Sequence, residues 1–286
     1  MKTYLDCIPC FVNQALRTGR LATSDETIQR EILDRVMKKL IRLPLHSPPP
    51  RIAQEVYEII RKITGNEDPY AAIKKRHNEI TLGLYPKFRE MTHEADDPLF
   101  YALRLAIAGN SIDLGIEREV TDIEGEIFTT LSLPVTVNHY DALKESLRKA
   151  RTILYLGDNA GEIVFDRLLM ETLLNHGNTE IIFAVREKPV INDATMEDAK
   201  FVGIDTVATV ISNGSDAPAT ILSECSPFFR ETFHRADMII AKGQGNYESL
   251  SDEPGEIFFL FKAKCRMIAT HLHVNVGDSI IKKQSC

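Results

Sequence analysis

Residues 152–162 read TILYLGDNAGE, and this stretch decides the fold. The apolar run Thr152-Ile153-Leu154-Tyr155-Leu156 predicts a short buried strand. Asp158 and Asn159 follow between two glycines, and an amphipathic segment from 163 to 175 then predicts a helix. A strand that leads through a short loop into a helix is the first half of a unit typical of parallel sheets.

The same alternation continues along the chain. Further strands are predicted at 180–185, 206–211, 237–241 and 257–261, and further helices at 196–202 and 217–225. Alternating strands and helices predict an α/β fold, here a Rossmann-like parallel sheet with helices on both faces.

The first half of the chain has a different pattern. Apolar residues recur at helical spacing in four segments, 11–42, 52–63, 70–84 and 98–108, and no strand is predicted among them. We therefore predict an all-helical domain over 1–140, followed by the α/β domain over 141–286.

Composition limits the classes of function. The 286 residues are 44% hydrophobic and 26% charged, as expected of a folded protein, and the net charge of −7 argues against general binding to nucleic acid. No apolar run approaches the roughly 18 residues of a membrane helix, so no membrane association is predicted. The N-terminus lacks the apolar core of a signal peptide, so a cytoplasmic location is expected.

Oxygen-bearing side chains follow the first two predicted strands of the α/β domain. Asp158 and Asn159 come after the first, and Asp193 comes after the second. The carboxyl ends of parallel strands meet at one edge of the sheet, so these oxygens could share a hard or borderline divalent ion such as Mg²⁺ or Mn²⁺. The alternative is that they only form turns and helix caps, with a capping box between Asp193 or Thr195 and Asp198.

Basic residues follow the later strands. Lys242 begins the glycine-rich segment KGQGNYE, which is predicted to be a loop able to bind phosphate oxygens or a sugar hydroxyl. The segment lacks the Lys-Ser/Thr pair of a Walker loop and is too short for a dinucleotide fingerprint. Lys262 and Lys264 follow the next strand, and a merely solvated position is the better interpretation for Lys264 than for Lys262.

Taken in order, these motifs resemble those of the domain-of-unknown-function 89 family, also called damage-control phosphatases. The resemblance spans the chain, and an N-terminal Cys-x-x-Cys is similar to that of the archaeal and bacterial subfamily. The motifs that carry it are GDNAGE (157–162), PVINDAT (189–195), KGQGNY (242–247), KAKC (262–265) and AGNSID (108–113).

The resemblance implies a metal-dependent phosphatase acting on small phosphomonoesters, with Asp158, Asn159 and Asp193 as the metal ligands. The expected cofactor is Mn²⁺ or Ni²⁺, with Co²⁺ or Mg²⁺ as alternatives. The partner is then a small phosphorylated metabolite, either a sugar phosphate or a damaged phosphometabolite or nucleotide. The nucleophile is either water activated by the ion or the Asp158 carboxylate itself.

The same resemblance suggests which residues contact the substrate. Gln244 and Asn246 of the glycine-rich segment and Lys262 are expected to bind it, while Lys242 or Lys262 offsets the phosphoryl charge. The segment departs from the eukaryotic pattern, since it reads QGNYE where those members resemble DLNYR. The identity of the substrate is therefore left open.

Parts of the sequence are also compatible with two other functions. A carboxyl methyltransferase that uses S-adenosylmethionine would need a nucleoside pocket, for which residues 157–161 are the nearest candidate, and a non-enzymatic metal or nucleotide sensor would need only the ion site. Cys7 and Cys10, at a predicted helix start, suit redox chemistry or a soft metal, or they pack as small apolar residues.

Overall fold

The computed structural model describes residues 1–109, 123–177 and 179–284. The helices are α1 (Cys7–Ala22), α2 (Glu26–Leu40), α3 (Pro49–Thr64), α4 (Ala71–Glu94), α5 (Pro98–Gly109), α6 (Ile123–Ser132), α7 (Tyr140–Lys149), α8 (Glu162–Leu174), α9 (Met196–Phe201), α10 (Pro227–Arg235), α11 (Gly243–Leu250) and α12 (Arg266–Leu272). The strands are β1 (Val135–Asn138), β2 (Thr152–Leu156), β3 (Glu180–Val185), β4 (Thr209–Ser212), β5 (Met238–Lys242), β6 (Ile257–Lys262) and β7 (Ser279–Lys283).

The strands form one sheet in the order β1-β7-β6-β5-β2-β3-β4. Strands β6, β5, β2, β3 and β4 pair in parallel, which confirms the predicted α/β fold with a mainly parallel sheet. Strand β7 runs antiparallel to β6, and β1 pairs in parallel with β7. Residues 153–156 of β2 are fully buried, which explains their uninterrupted apolar run.

Helices cover both faces of the sheet. Leu103 of α5 and Leu169 of α8 pack with Tyr155 on one face. Phe229 of α10 and Tyr247 of α11 pack with the strands on the other. A separate apolar cluster joins α1, α2 and α3. No helix within the described ranges is long and apolar enough to cross a bilayer.

Strands β1 and β7 were not predicted. Strand β1 has four residues and alternates between half-buried and exposed positions, so its sequence signal is weak. It lies within the segment that was expected to be wholly helical, and it pairs with β7 near the end of the described chain. A division into two domains at residue 140 stays a prediction.

Two segments differ from their predicted conformation. The helix predicted over 217–225 is wrong, because Ala219 has a φ of +95° directly after Pro218, and only a 3-10 turn forms at Leu222–Glu224. The glycine-rich segment is not a loop either. Its glycines begin α11 immediately after β5.

Candidate active site

The order of the strands creates a crevice at the carboxyl ends of β2 and β5. From β2 the sheet grows through β3 and β4 on one side, whereas β5 and β6 lie on the other side. Ligands of open α/β sheets bind at such a reversal of strand order. Asp158 follows β2 and Gly243 follows β5, so both lie at this point.

Gly243 is in direct contact with the Asp158 carboxylate. A Cβ atom on Gly243 would lie 2.0 Å from Oδ2 of Asp158, and the φ of Gly243 is +80°. Only glycine combines this backbone conformation with such a close approach. The carboxylate therefore packs against the first residue of α11.

The loop after β3 brings Asp193 to the same place. Asn159 and Asp193 form an isolated antiparallel bridge, and the Ala194 amide donates to the Asp158 carbonyl oxygen at 2.7 Å. Nδ2 of Asn159 donates to Oδ2 of Asp158 at 3.0 Å. The three predicted metal ligands thus line one polar cavity of about 220 Å³.

A buried arginine orients Asp193. Nε of Arg186 donates to Oδ2 of Asp193 at 2.7 Å, and the Ala219 amide approaches the same oxygen at 3.4 Å. Ala219 has a positive φ, and in this backbone conformation its amide points towards the Asp193 carboxylate. Arg186 was not singled out from the sequence, where it reads as an ordinary basic residue after a strand.

Asp193 does not cap the following helix. The capping box of α9 is made by Thr195 and Asp198, whose side chain accepts from the Thr195 amide at 3.0 Å. Asp198 therefore has the capping role, and Asp193 has no part in the cap and lines the polar cavity.

The electrostatics of the site favour a cation. Burial raises the pKa of Asp158 well above its usual value, and the carboxylates of Asp193 and Glu162 raise it further. Burial also raises the pKa of Asp193, while the Arg186 guanidinium acts in the opposite direction. The charged forms of Asp158 and Asp193 are thus disfavoured without a nearby cation, and a cation between them would favour these forms.

Lys242 lies away from the polar cavity, and its contact with phosphate stays a prediction. Its side chain is fully buried, and Nζ donates to the Ala106 carbonyl oxygen at 3.0 Å and to the carboxylates of Glu162 and Asp166. A strand residue in a two-sided sheet alternates between the faces, and Lys242 points to the α8 face. The positive charge of Lys242 there offsets the negative charge of buried carboxylates, and Lys242 does not line the polar cavity.

Asn246 and Gln244 occupy different environments. Asn246 is buried, with Oδ1 accepting from the Thr220 amide at 2.8 Å and Nδ2 donating to the Lys242 carbonyl oxygen at 2.7 Å. These bonds engage both ends of the amide, so Asn246 shapes the backbone, and its contact with substrate stays a prediction. Gln244 does line the polar cavity, and its Oε1 accepts from the Lys264 amide at 2.8 Å.

Lys262, the last residue of β6, and Lys264, which follows it, also differ. Nζ of Lys262 donates to the Thr130 hydroxyl at 3.2 Å. Lys262 is not among the described residues that line the polar cavity. Lys264 lines that wall, and its charge lowers the pKa of Asp158. The sequence favours a solvated position for Lys264, because no local pattern shows where the chain turns after β6.

The helical part supplies further wall residues that the motifs did not indicate. Arg17 of α1 and His77 of α4 line the polar cavity together with Tyr57 and Tyr70. Gly161 packs so closely on His77 that an added Cβ would lie 2.9 Å from the His77 Cβ. The AGNSID motif falls mostly outside the described residues, since only Ala108 and Gly109 are described.

The donor set fits a hard or borderline divalent ion. Two carboxylates and an amide oxygen are ligands that such ions accept, and the surplus negative charge would be offset by the ion. Among the described residues, no three His, Cys, Asp or Glu side chains are arranged to hold a metal. The predicted set contains only two such side chains, so Asn159, water or substrate would complete the coordination.

The predicted family is confirmed by comparison with known proteins. The sheet and the two acidic loops at its switch point place the chain among open α/β proteins that bind a ligand at this edge. The chain belongs to the family described as the damage-control phosphatase ARMT1-like domain, whose model matches residues 3–280.

The chain is similar over nearly its whole length to archaeal proteins. It is 37% identical to the uncharacterized protein MJ0202 of Methanocaldococcus jannaschii, covering 98% of this chain and 94% of that protein. It is 36% identical to the damage-control phosphatase PH1575 of Pyrococcus horikoshii, covering 97% and 96%. The crystal structure of the DUF89 family protein PH1575 superposes with a TM-score of 0.92, with 33% identity and full coverage of both chains.

Proposed function

We propose that this chain is a metal-dependent phosphatase that hydrolyses small phosphomonoesters, with a role in removing damaged phosphometabolites. The convergence of Asp158 and Asp193 at the switch point carries this proposal, because it concentrates carboxylate oxygens where α/β sheets bind ligands. The name damage-control phosphatase, borne by the similar protein PH1575, supports the same activity.

Asp158, Asn159 and Asp193 would hold the ion, with Mn²⁺ or Ni²⁺ expected before Co²⁺ or Mg²⁺. When bound, the ion would supply Lewis acidity towards a phosphoryl oxygen. Arg186 occupies Oδ2 of Asp193 and keeps the carboxylate oriented, so Oδ1 is the oxygen that we assign to the ion.

Lys264 takes the role that the sequence suggested for Lys242 or Lys262. Lys264 belongs to the wall of the polar cavity, where its charge would offset that of the phosphoryl oxygens. Gln244 and Gly245 begin α11 at the same wall, so the amide end of this helix also favours an anion there.

The test is release of phosphate from p-nitrophenyl phosphate by the metal-free protein, with Mn²⁺, Ni²⁺, Co²⁺ and Mg²⁺ added separately. Turnover that requires one of these ions and saturates with it is expected. An absence of phosphate release with all four ions would contradict the proposal, as would equal turnover in the presence of a strong chelator.

A further inference from the structure

A second cavity adjoins the polar one. It has a volume of about 390 Å³, and we call it the thiol cavity because Cys7, Cys10 and Cys265 all line it. It lies between α1, α3, the start of α11 and the start of α12. Neither the ion site nor the phosphate contacts account for it.

The two cavities share a wall. Residues that line both are Gln14, Ile191, Pro218, Gln244 and Gly245. At about 220 Å³ the polar cavity is smaller than the roughly 300–1,000 Å³ of most ligand pockets, and the ion and the phosphoryl group would occupy much of it. The organic part of a substrate held there must therefore extend beyond it, and the thiol cavity is continuous with its wall.

The thiol cavity is mostly apolar. Phe11, Ala53 and Met267 contribute hydrocarbon or thioether surface, and proline rings complete the lining. Burial raises the pKa values of the Cys7 and Cys10 thiols, so both stay uncharged at neutral pH and behave as small apolar groups.

A few polar groups interrupt this surface. Asp6 and Arg266 are exposed at its border, and Glu248 lies inside, where its Oε1 accepts from Nε2 of Gln244 at 2.7 Å. An apolar cavity with isolated polar groups is typical of a site that binds the body of a small molecule.

We infer that the thiol cavity binds the alcohol portion of the substrate, and that the preferred substrates are phosphomonoesters with an apolar chain or ring next to the phosphate. This inference rests on the proposed phosphatase activity and specifies the class of compound on which it acts. Hydrolysis breaks the phosphorus–oxygen bond with water, so the products are inorganic phosphate and the apolar alcohol, which leaves through the thiol cavity.

The first test compares ethyl, butyl, hexyl and octyl phosphate. Their leaving alcohols have nearly the same reactivity, so differences in kcat/KM report binding of the chain. We expect kcat/KM to rise about fourfold per methylene group from ethyl to hexyl phosphate, as burial of hydrocarbon requires. Turnover of all four esters with equal kcat/KM would overturn the inference and leave the phosphatase proposal standing.

A pair of variants locates the effect. Cys10 is exposed at the cavity wall, so Cys10→Trp can fill the cavity without disturbing the core, and it should lower the ratio of octyl to ethyl phosphate turnover at least fivefold. Ile41→Trp changes a residue that is 81% exposed on another surface and should keep the wild-type ratio. Equal ratios in the two variants would count against the cavity.

A second test does not depend on turnover. Alkylation of Cys10 by N-ethylmaleimide at pH 8.5 is followed by peptide mass mapping, in the presence of hexylphosphonate or methylphosphonate, neither of which can be hydrolysed. We expect hexylphosphonate to slow the reaction severalfold more than methylphosphonate. Equal rates would overturn the inference, whereas protection without hydrolysis of any ester would support the cavity and contradict the phosphatase proposal.

Discussion

Gly243 determines how closely the Asp158 carboxylate approaches helix α11. Gly243→Ala would combine an unfavourable φ of +80° with a Cβ placed 2.0 Å from Oδ2 of Asp158. Gly65 is a matched control, because its φ is +67° and no atom lies within 4 Å of an added Cβ. We expect Gly65→Ala to lower the free energy of unfolding by about 1 kcal/mol, and Gly243→Ala to lower it further and to abolish phosphate release.

Urea unfolding and phosphate release measure these two effects. If Gly243→Ala were as active as Gly65→Ala, the contact between α11 and Asp158 would have no importance for the site.

The turnover of Asp193→Ala and of Lys264→Ala should depend differently on the concentration of Mn²⁺. Asp193→Ala removes a proposed ligand, so turnover should be nearly abolished and partly recovered at high Mn²⁺ concentration. Lys264→Ala removes a charge from the cavity wall, so turnover should fall about 10- to 100-fold at every Mn²⁺ concentration. The measurement is turnover against Mn²⁺ concentration, with circular dichroism as the check on folding.

Unchanged metal dependence in folded Asp193→Ala would refute the assigned ligand. A loss in Lys264→Ala that high Mn²⁺ restores would mean that Lys264 acts on ion binding and not on the substrate.

Glu248 gives the molecule a dependence of stability on pH. Burial raises its pKa from the usual 4.5 to about 7, so above pH 7 the folded state carries a buried carboxylate that the unfolded state keeps in water. Glu248→Gln keeps an acceptor for Gln244 and removes that penalty. We therefore expect the variant to have a higher Tm than wild type at pH 8, with the difference vanishing below about pH 4.5.

Thermal unfolding at pH 8 and pH 4.5 tests this, with the exposed Glu231→Gln as control. A Tm difference for Glu248→Gln that is the same at both pH values would show that Glu248 is not desolvated in the folded state.

At the scale of elements, Lys242 joins strand β5 to helix α8. Its ammonium group contacts Glu162 and Asp166, and burial raises the pKa of Asp166 to about 7 even with this cation beside it. Lys242→Met would remove the cation that pairs with two buried carboxylates, which costs about 3–5 kcal/mol. We expect a large fall in the urea midpoint.

The control is Lys149→Met, which removes a lysine that is 73% exposed and paired with Glu145. Its urea midpoint should match wild type. A midpoint for Lys242→Met that is also close to wild type would mean that the ion pairs of Lys242 with Glu162 and Asp166 contribute little to stability.

The sequence predicts some elements well because one physical signal dominates in them. Strand β2 is buried on both faces, so its apolar run is continuous and its predicted limits, 152–156, agree with the structure. Strand β1 lies at the sheet edge and half of its residues are exposed, so no such run marks it.

The site could be predicted only where it follows from strand order. Asp158, Asn159 and Asp193 follow adjacent parallel strands, and the sheet brings them together. Whether Lys242 or Lys264 faces the polar cavity depends on which face each side chain takes and on the turn after β6, which no local pattern reveals. Arg17 and His77 come from helices whose packing on the sheet is a tertiary property.

At the scale of the whole molecule, Asn78 connects the helical part to both acidic loops. Nδ2 of Asn78 donates to Oδ1 of Asp198 at 3.0 Å, and its Oδ1 accepts from the Gly161 amide at 2.6 Å. Asp198 caps α9 after the loop that carries Asp193, and Gly161 ends the loop that carries Asp158. The positions of Asp158, Gly161, Asp193 and Asp198 thus depend on how α4 packs against the sheet.

Asn78→Ala should therefore weaken the helical part and the sheet together. It leaves the buried Gly161 amide without its acceptor, at a cost of about 1–3 kcal/mol, and removes one donor from Asp198. We expect a lower Tm with one shared transition for helices α1 to α4 and for the central strands, both followed by hydrogen exchange of their amides. Asn13→Ala, at an exposed position on α1, serves as the control and should unfold as wild type does. A variant in which the helices melt first while strands β2 and β5 keep wild-type protection would show that residues 1–140 and 141–286 unfold as separate units, and that α4 does not stabilise the loops of the site.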